Sequence, residues 1–106
     1  MLVLGRRKGE KILIGTNLSV TLLSTRPRAI VIEITMEGRF PYRKVLREEE
    51  DHVIIPEVTI QLLRIRRGQA RLGIIAPCHI LILREEIQDH ADNQLKPELG
   101  GEAGGA

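Results

Sequence analysis

The sequence predicts a mostly β domain. Its 106 residues suffice for one domain. Aromatic residues are only 2% of the chain, so the apolar residues are almost all Ile, Leu and Val, which favour strands. Short apolar runs are broken by Gly, Pro and charged residues, and none keeps a helical spacing over three turns.

Nine strands are predicted, separated by segments rich in turn-forming residues. The strands cover Leu2–Arg6, Lys11–Ile14, Leu18–Ser24, Ala29–Thr35, Tyr42–Arg47, His52–Ile55, Val58–Ile65, Gln69–Ile74 and His79–Leu83. From Arg84 the pattern favours one short helix ending near Ala91, with acidic residues at its start. We therefore expect one compact β-rich domain over residues 1–90, with repeat-like halves 1–51 and 52–90, and a disordered, flexible tail over residues 91–106.

Several function classes are disfavoured. The lone Cys78 can form neither an internal disulfide nor, by itself, a zinc site, and the three histidines are scattered, so no metal and no cofactor are expected. There is no nucleophile and base pair and no phosphate-binding glycine loop before a helix, so an enzyme is not expected. The apolar start, Met1–Leu4, is too short for a signal peptide or a membrane span, which predicts a cytoplasmic protein without a membrane partner.

The chain is similar to itself. At a shift of forty residues, 17–24 align with 57–64 without a gap, and Ile32 and Ile34 align with Leu72 and Ile74. At a shift of thirty-seven, 45–49 align with 82–86. The interpretation is two diverged copies of one unit; the alternative is that any two Ile, Leu and Val strands look alike.

Two segments then resemble a known family. Residues 1–15, MLVLGRRKGEKILIG, are similar to the amino terminus of the carbon storage regulator family. Residues 68–77 and 80–87 resemble its fourth strand, its Ala-Pro turn and its Arg-Glu-Glu-Ile segment. The resemblance covers roughly 1–24 and 57–90, and the ordinary member lacks the middle of this chain. Gly5, Cys78 and Leu83 depart from the family pattern.

The resemblance implies an RNA-binding translational regulator and a small intertwined β-barrel or sandwich. Its partners would be messenger RNA leaders, and small regulatory RNAs, with GGA in hairpin loops. In the family the first strand of one subunit lies beside the fifth strand of the other, so each RNA site is built across a dimer. The family's RNA-contacting positions correspond here to Leu4, Arg6, Arg7, Ala76, Pro77, Ile80, Ile82 and Arg84.

The chemistry of these residues suits RNA. Unpaired guanine presents two adjacent acceptors that an arginine fork binds together, which makes Arg84 the candidate residue that reads or positions a guanine. On an extended strand Leu2, Leu4 and Arg6 share one face, whereas Val3 and Arg7 share the other. We expect one of the two arginines to face the loop and the other a phosphate or an acidic neighbour. The shortage of aromatic residues disfavours RNA-binding folds that stack bases on aromatic platforms.

Two other basic features are weaker. Arg47 lies in 45–49, which is interpreted as a weak first-copy repeat of the fifth strand. It precedes the acidic run Glu48–Asp51, which would repel RNA, so it is interpreted as structural. A second basic cluster could add phosphate contacts but is more typical of a soluble hairpin turn; it contains Arg64, Arg66, Arg67 and Arg71.

Two architectures remain open. In one, duplication has fused two subunits into a single-chain pseudo-dimer, whose second copy lacks its first strand and therefore has a dead site. In the other, residues 25–56 are a hairpin inserted into an ordinary intertwined homodimer. In a second function class the chain has diverged into a protein-interaction module or an antagonist that does not bind RNA.

Overall fold

The computed structural model describes residues 1–85, and these form nine strands. The strands are β1 (Leu2–Arg7), β2 (Lys11–Ile14), β3 (Leu18–Thr25), β4 (Ala29–Met36), β5 (Tyr42–Arg47), β6 (Asp51–Ile55), β7 (Val58–Arg66), β8 (Gln69–Ile75) and β9 (Ile82–Glu85). The mostly β fold class is thus confirmed, and eight strand predictions hold to within one residue at each end. The predicted helix and tail, apart from the helix's first two residues, lie outside the described residues.

The ninth strand differs from its prediction. It begins at Ile82 rather than at His79 and runs on to Glu85. A turn closed by the amide of Ile80, which donates to the carbonyl of Pro77 at 3.0 Å, occupies the predicted start. Arg84 and Glu85, expected at the start of a helix, instead pair with Ile12 and Lys11 of β2.

The strands form two antiparallel sheets. Sheet A has the order β1-β8-β7-β6 and sheet B the order β5-β4-β3-β2-β9. Apolar side chains alternate along the strands toward one shared core, as the period of a half-buried strand requires. The two sheets therefore pack as a sandwich built from one chain.

The forty-residue repeat holds in the strand register. Ile12 pairs with Val20, and His52 with Ile60. The irregularity between Leu22 and Ser24 recurs between Leu62 and Arg64. Seven pairs of buried apolar residues also stand forty apart: Ile14/Ile54, Leu18/Val58, Val20/Ile60, Leu22/Leu62, Ile30/Ala70, Ile32/Leu72 and Ile34/Ile74. Chance resemblance between strands does not explain a repeated register, so the duplication is real.

The two copies are intertwined. Strand β1 pairs with β8, and β5 pairs with β4, in registers that repeat when each residue is exchanged for its counterpart forty away. Each copy's first strand thus pairs with the fourth strand of the other copy and not, as expected, with its fifth; the fifth strand, β9, pairs with β2. Strand β5 is therefore the first strand of the second copy.

This arrangement corrects one part of the fused-chain hypothesis. The predicted gap was the first strand of the second copy, with 45–49 interpreted as a fifth strand. In the structure β9 covers the edge of β2, whereas sheet A ends at β6 with no equivalent strand among residues 1–85. The missing element is the fifth strand of the first copy.

Candidate RNA interface

Strands β1 and β9 lie on the same side of the sandwich. Strand β1 is an edge of sheet A, and β9 is an edge of sheet B beside β2. The Arg6 guanidinium on β1 reaches β2, where its Nη1 donates to the carbonyl of Lys11 at 3.1 Å. Lys11 in turn pairs with Glu85 of β9. The segments that carry the sequence-predicted RNA residues are therefore brought together within one chain.

Arg6 is buried rather than presented to solvent. Its side chain is only 3% exposed, and its Nε donates to the carbonyl of Gly5 at 2.7 Å. The carboxylate of Glu10 lies 3.6 Å from the same nitrogen. Arg6 is thus the arginine of the pair that has an acidic neighbour, and its contacts join the two sheets.

Arg7 and Arg84 are exposed, as direct RNA contacts require. The Arg7 backbone amide donates to Glu10 Oε1 at 2.8 Å, which holds the end of β1. Its Nη1 donates to the carbonyl of Arg67 at 3.1 Å, so the guanidinium lies over the β7–β8 turn. Arg84 extends from β9, on the sheet edge beside Ile12.

The apolar candidates form the floor of the interface. They are half-buried and most of them pack against the core with one side, leaving the other side accessible; the residues are Leu4, Ala76, Pro77, Ile80 and Ile82. The amide of Gly15 donates to the carbonyl of Leu81 at 2.8 Å, which fixes the segment before β9. Such a partly apolar floor beside exposed arginines suits unpaired bases and their phosphates.

The second basic cluster belongs to the face that carries Arg7. Register across sheet A aligns Arg7, Gln69 and Arg66 in one row. Arg71 and Arg64 form the next row with Gly5. We call Arg7, Arg64, Arg66 and Arg71 the basic face.

Gly5 makes room in this face. A Cβ there would lie 2.6 Å from Nε2 of Gln69, so a larger residue at position 5 would displace the end of the Gln69 side chain from its place over β1. Two arginines directly opposite each other, Arg64 and Arg71, repel unless an anion lies between them. With Arg66 and Gln69 they line a depression of about 110 Å³.

The other side of the sandwich has the equivalent first strand but different side chains. At the positions of Leu4, Arg6 and Arg7, strand β5 has Lys44, Leu46 and Arg47. Leu46 is fully buried where Arg6 makes its polar contacts. In the row equivalent to Gly5 and Arg71, sheet B has Val45 and Val31. Of the four positions of the basic face, sheet B therefore keeps arginine at two, Arg47 and Arg26, and has Ser24 and Val31 at the other two.

Tyr42 and His52 link the sheets on that side. The Tyr42 hydroxyl and His52 Nε2 are 2.9 Å apart, and the rings meet edge to face. Burial, followed by the charge of Lys44, lowers the pKa of His52 below its usual 6.5. Burial raises the pKa of Tyr42. Both groups are thus held neutral near pH 7.

The sequence carries a signal that identifies β5 as the first strand of the second copy. At the forty-residue shift, Arg7 and Glu10 align with Arg47 and Glu50. The amide of Arg47 donates to Glu50 Oε1 at 2.8 Å, as that of Arg7 does to Glu10. The burial of Arg6 had no such signal, because alternation shows on which face of its strand a side chain lies but not how buried that side chain is.

No group of three or more metal-ligating side chains occurs within residues 1–85. In the same part of the chain, no helix is long and apolar enough to cross a membrane.

Comparison with known proteins agrees with the duplicated architecture. The sequence model of CsrA, a global regulator protein family, matches the chain twice, over residues 1–49 and 45–93. A protein of Wolinella succinogenes named translational regulator CsrA is 47% identical over 51 residues, which cover 47% of this chain and 67% of that protein. A protein of the same name from Clostridium acetobutylicum is 32% identical over 73 residues, covering 63% of this chain and all of that protein. No solved structure matches.

Proposed function

This chain belongs to the CsrA family, and we propose that it is a translational regulator that binds GGA-containing hairpin loops in messenger RNA leaders. The observation that supports this most is the meeting of β1 with the β2–β9 edge in one chain, through the hydrogen bond from Arg6 to Lys11. It brings the two family motifs to one interface.

We assign different roles to the arginines of the interface. Arg84 is the guanine reader, because it is exposed and its fork matches the O6 and N7 acceptors. Arg6 is a positioning residue, because its contacts run to backbone carbonyls and Glu10. Leu4, Ala76 and Ile82 supply apolar contact to the bases, and neighbouring backbone groups read base edges.

The basic face would bind the phosphates of the RNA on either side of the loop. Arg7 is common to this face and to β1, so it connects the two parts of the interface. The repulsion between Arg64 and Arg71 would be relieved by a phosphate between them. Phosphate contacts position an RNA without reading its sequence.

One chain is proposed to bind one hairpin. Both sheets are built within one chain, so β1 and β9 meet without a second copy. On the other side, the edge of β6 lacks a strand among residues 1–85, and Lys44 and Leu46 replace the residues of β1. The side chains of the first interface are thus not repeated.

Native mass spectrometry of the full chain tests this proposal. The chain is measured alone and with a short hairpin that displays GGA in its loop; a CCA loop on the same stem is the control. We expect one chain with one GGA hairpin and little complex with the control. Two chains with two hairpins would overturn the single-chain site but keep RNA binding, whereas no complex, or equal binding of both hairpins, would overturn the GGA assignment.

A further inference from the structure

The outer edge of β6 has no partner strand among residues 1–85, although the equivalent edge in the other copy has one. The equivalent of β6 in the other copy is β2, and all four residues of β2 pair with β9. An edge strand presents backbone donors and acceptors that another extended segment can satisfy.

The side chains at the β6 edge lack the cover that their equivalents have. Leu13 lies opposite Leu83 of β9 and is partly buried. Its counterpart Val53 is 59% exposed. The duplicated fold therefore shows what kind of element covers such an edge: a short antiparallel strand with an apolar residue opposite position 53.

The charge of the β6 edge is the reverse of that of the covered edge. Lys11 pairs with the acidic Glu85 in the register of β2 and β9. The residue equivalent to Lys11 is Asp51, which follows three glutamates, 48–50. A strand on β6 in the same register would thus place a basic residue opposite Asp51.

We propose that the β6 edge binds an extended peptide segment of a protein partner, with an apolar residue opposite Val53 and a lysine or arginine opposite Asp51. RNA does not suit this edge, because the acidic run repels phosphates. A second copy that paired through its own β6 edge does not suit it either, because both edges would carry the acidic run Glu48–Asp51 and would repel each other. A peptide strand with a basic residue gains the main-chain hydrogen bonds without that repulsion.

Only a short strand can pair with the β6 edge. The register with β7 shifts between Val53 and Ile55, and Pro56 follows directly. A bulge and a proline are features that discourage indiscriminate strand pairing. They restrict the segment that binds to the three residues opposite 51–53.

A charge-swap titration tests the proposal on the full chain. The probe is a synthetic peptide copying residues 79–85 with lysine in place of Glu85; the matched peptide keeps the glutamate. Binding is followed by chemical shifts of the backbone amides. We expect the lysine peptide to shift the resonances of the β6 amides. Asp51→Lys should weaken the binding of the lysine peptide about threefold to tenfold and strengthen the binding of the glutamate peptide. The control is Glu37→Lys, which changes the charge by the same amount at an exposed residue. The amide of Glu37 donates to the carbonyl of Asn17, next to sheet B, whereas β6 belongs to sheet A.

Each result has a defined meaning. The proposal is supported if the peptides shift β6 amides and if the parent chain prefers the lysine peptide whereas Asp51→Lys prefers the glutamate peptide. An added GGA hairpin should not displace the peptide, since β9 lies on the other side of the sandwich. Shifts on β1 or β9 alone, or equal loss in both lysine variants, would overturn it. Concentration-dependent β6 shifts without peptide would assign the edge to a second copy and overturn the peptide as occupant. None of these results depends on RNA binding.

Discussion

The Nη1 atom of Arg6 donates a 3.1 Å hydrogen bond to the carbonyl oxygen of Lys11, and this contact joins the edge strand of one sheet to the other sheet. On the opposite side the equivalent of Arg6 is Leu46, which is fully buried. At this one position the first strand of one copy is therefore held by polar contacts and that of the other copy by apolar packing. The side with Arg6 is the one that has β9 beside it.

Replacing Arg6 should affect stability more than RNA chemistry. Arg6→Ala leaves the partly buried carbonyls of Gly5 and Lys11 without the Arg6 donor and removes the cation near Glu10, so we expect a loss of about 2–4 kcal/mol in the free energy of unfolding. Arg6→Leu should lose less, because Leu46 shows that leucine fits the equivalent position. Urea denaturation measures both. A stable Arg6→Ala variant that loses RNA affinity would instead make Arg6 a direct contact.

The strands were predictable because turn chemistry and alternation are local. The repeat of 17–24 in 57–64 also revealed the duplication. The role of β5 was mistaken because the Leu-Arg-Glu-Glu match at shift thirty-seven outweighed the alignment of Arg7 and Glu10 with Arg47 and Glu50. Which strand pairs with which is a long-range property, and two strands with similar residues can take different edges. The eight site residues came from the family resemblance, and the structure adds that Arg6 is buried and that Arg7 shares a face with Arg64, Arg66 and Arg71.

Arg84 should discriminate between bases. Arg84→Ala is expected to weaken binding of a GGA hairpin by roughly 1–3 kcal/mol and to leave a CCA control unchanged, because an arginine fork binds two guanine acceptors. Arg84→Lys keeps the charge but loses the fork, so it should lose most of the same discrimination. Fluorescence anisotropy with both hairpins measures the effect. An equal loss for the two RNAs would mean that Arg84 contacts phosphate only.

The pair of Arg64 and Arg71 should respond in opposite directions in two assays. Arg64→Glu converts a like-charge pair into an opposite-charge pair, which should raise the free energy of unfolding by about 0.2–1 kcal/mol. The same change should weaken the binding of GGA and CCA hairpins alike. The slope of the logarithm of the binding constant against the logarithm of the salt concentration should become shallower by about 0.7–0.9 for each phosphate that the variant no longer neutralises. Arg39→Glu, in the exposed β4–β5 turn, is the matched control. Unchanged RNA affinity in Arg64→Glu would show that the basic face does not touch RNA.

His52 should make stability depend on pH. Its pKa is lowered in the folded state, so the unfolded chain binds the proton more readily. The resulting stability is present above the unfolded pKa of about 6.5 and is lost as the pH falls through the lower folded value. His52→Gln should flatten this part of the profile relative to the parent chain, as measured by urea midpoints between about pH 7.5 and 5. Parallel profiles would show that His52 titrates alike in both states.

Glu49 is a site where a substitution should stabilise the fold. Its φ is +68°, and the equivalent residue, Gly9, has φ of +89°. Their amides make equivalent hydrogen bonds, to the carbonyls of Leu62 and Leu22 at 2.6 and 2.7 Å, so the backbone conformation is required in both copies. A residue with a Cβ is strained there, whereas glycine is not. Glu49→Gly should therefore raise the free energy of unfolding by about 0.5–1 kcal/mol, after the entropy cost of glycine is deducted.

The matched control for this prediction is Gly9→Ala, which imposes the same strain on the first copy and should lower the free energy of unfolding by about 1 kcal/mol or more. Urea denaturation of the two variants and the parent chain gives the comparison. Because Glu49 also belongs to the acidic run beside β6, the variant removes one negative charge there, and Glu49→Gln separates the two effects. If Glu49→Gln stabilises the chain as much as Glu49→Gly, repulsion within the acidic run rather than backbone strain is the cause.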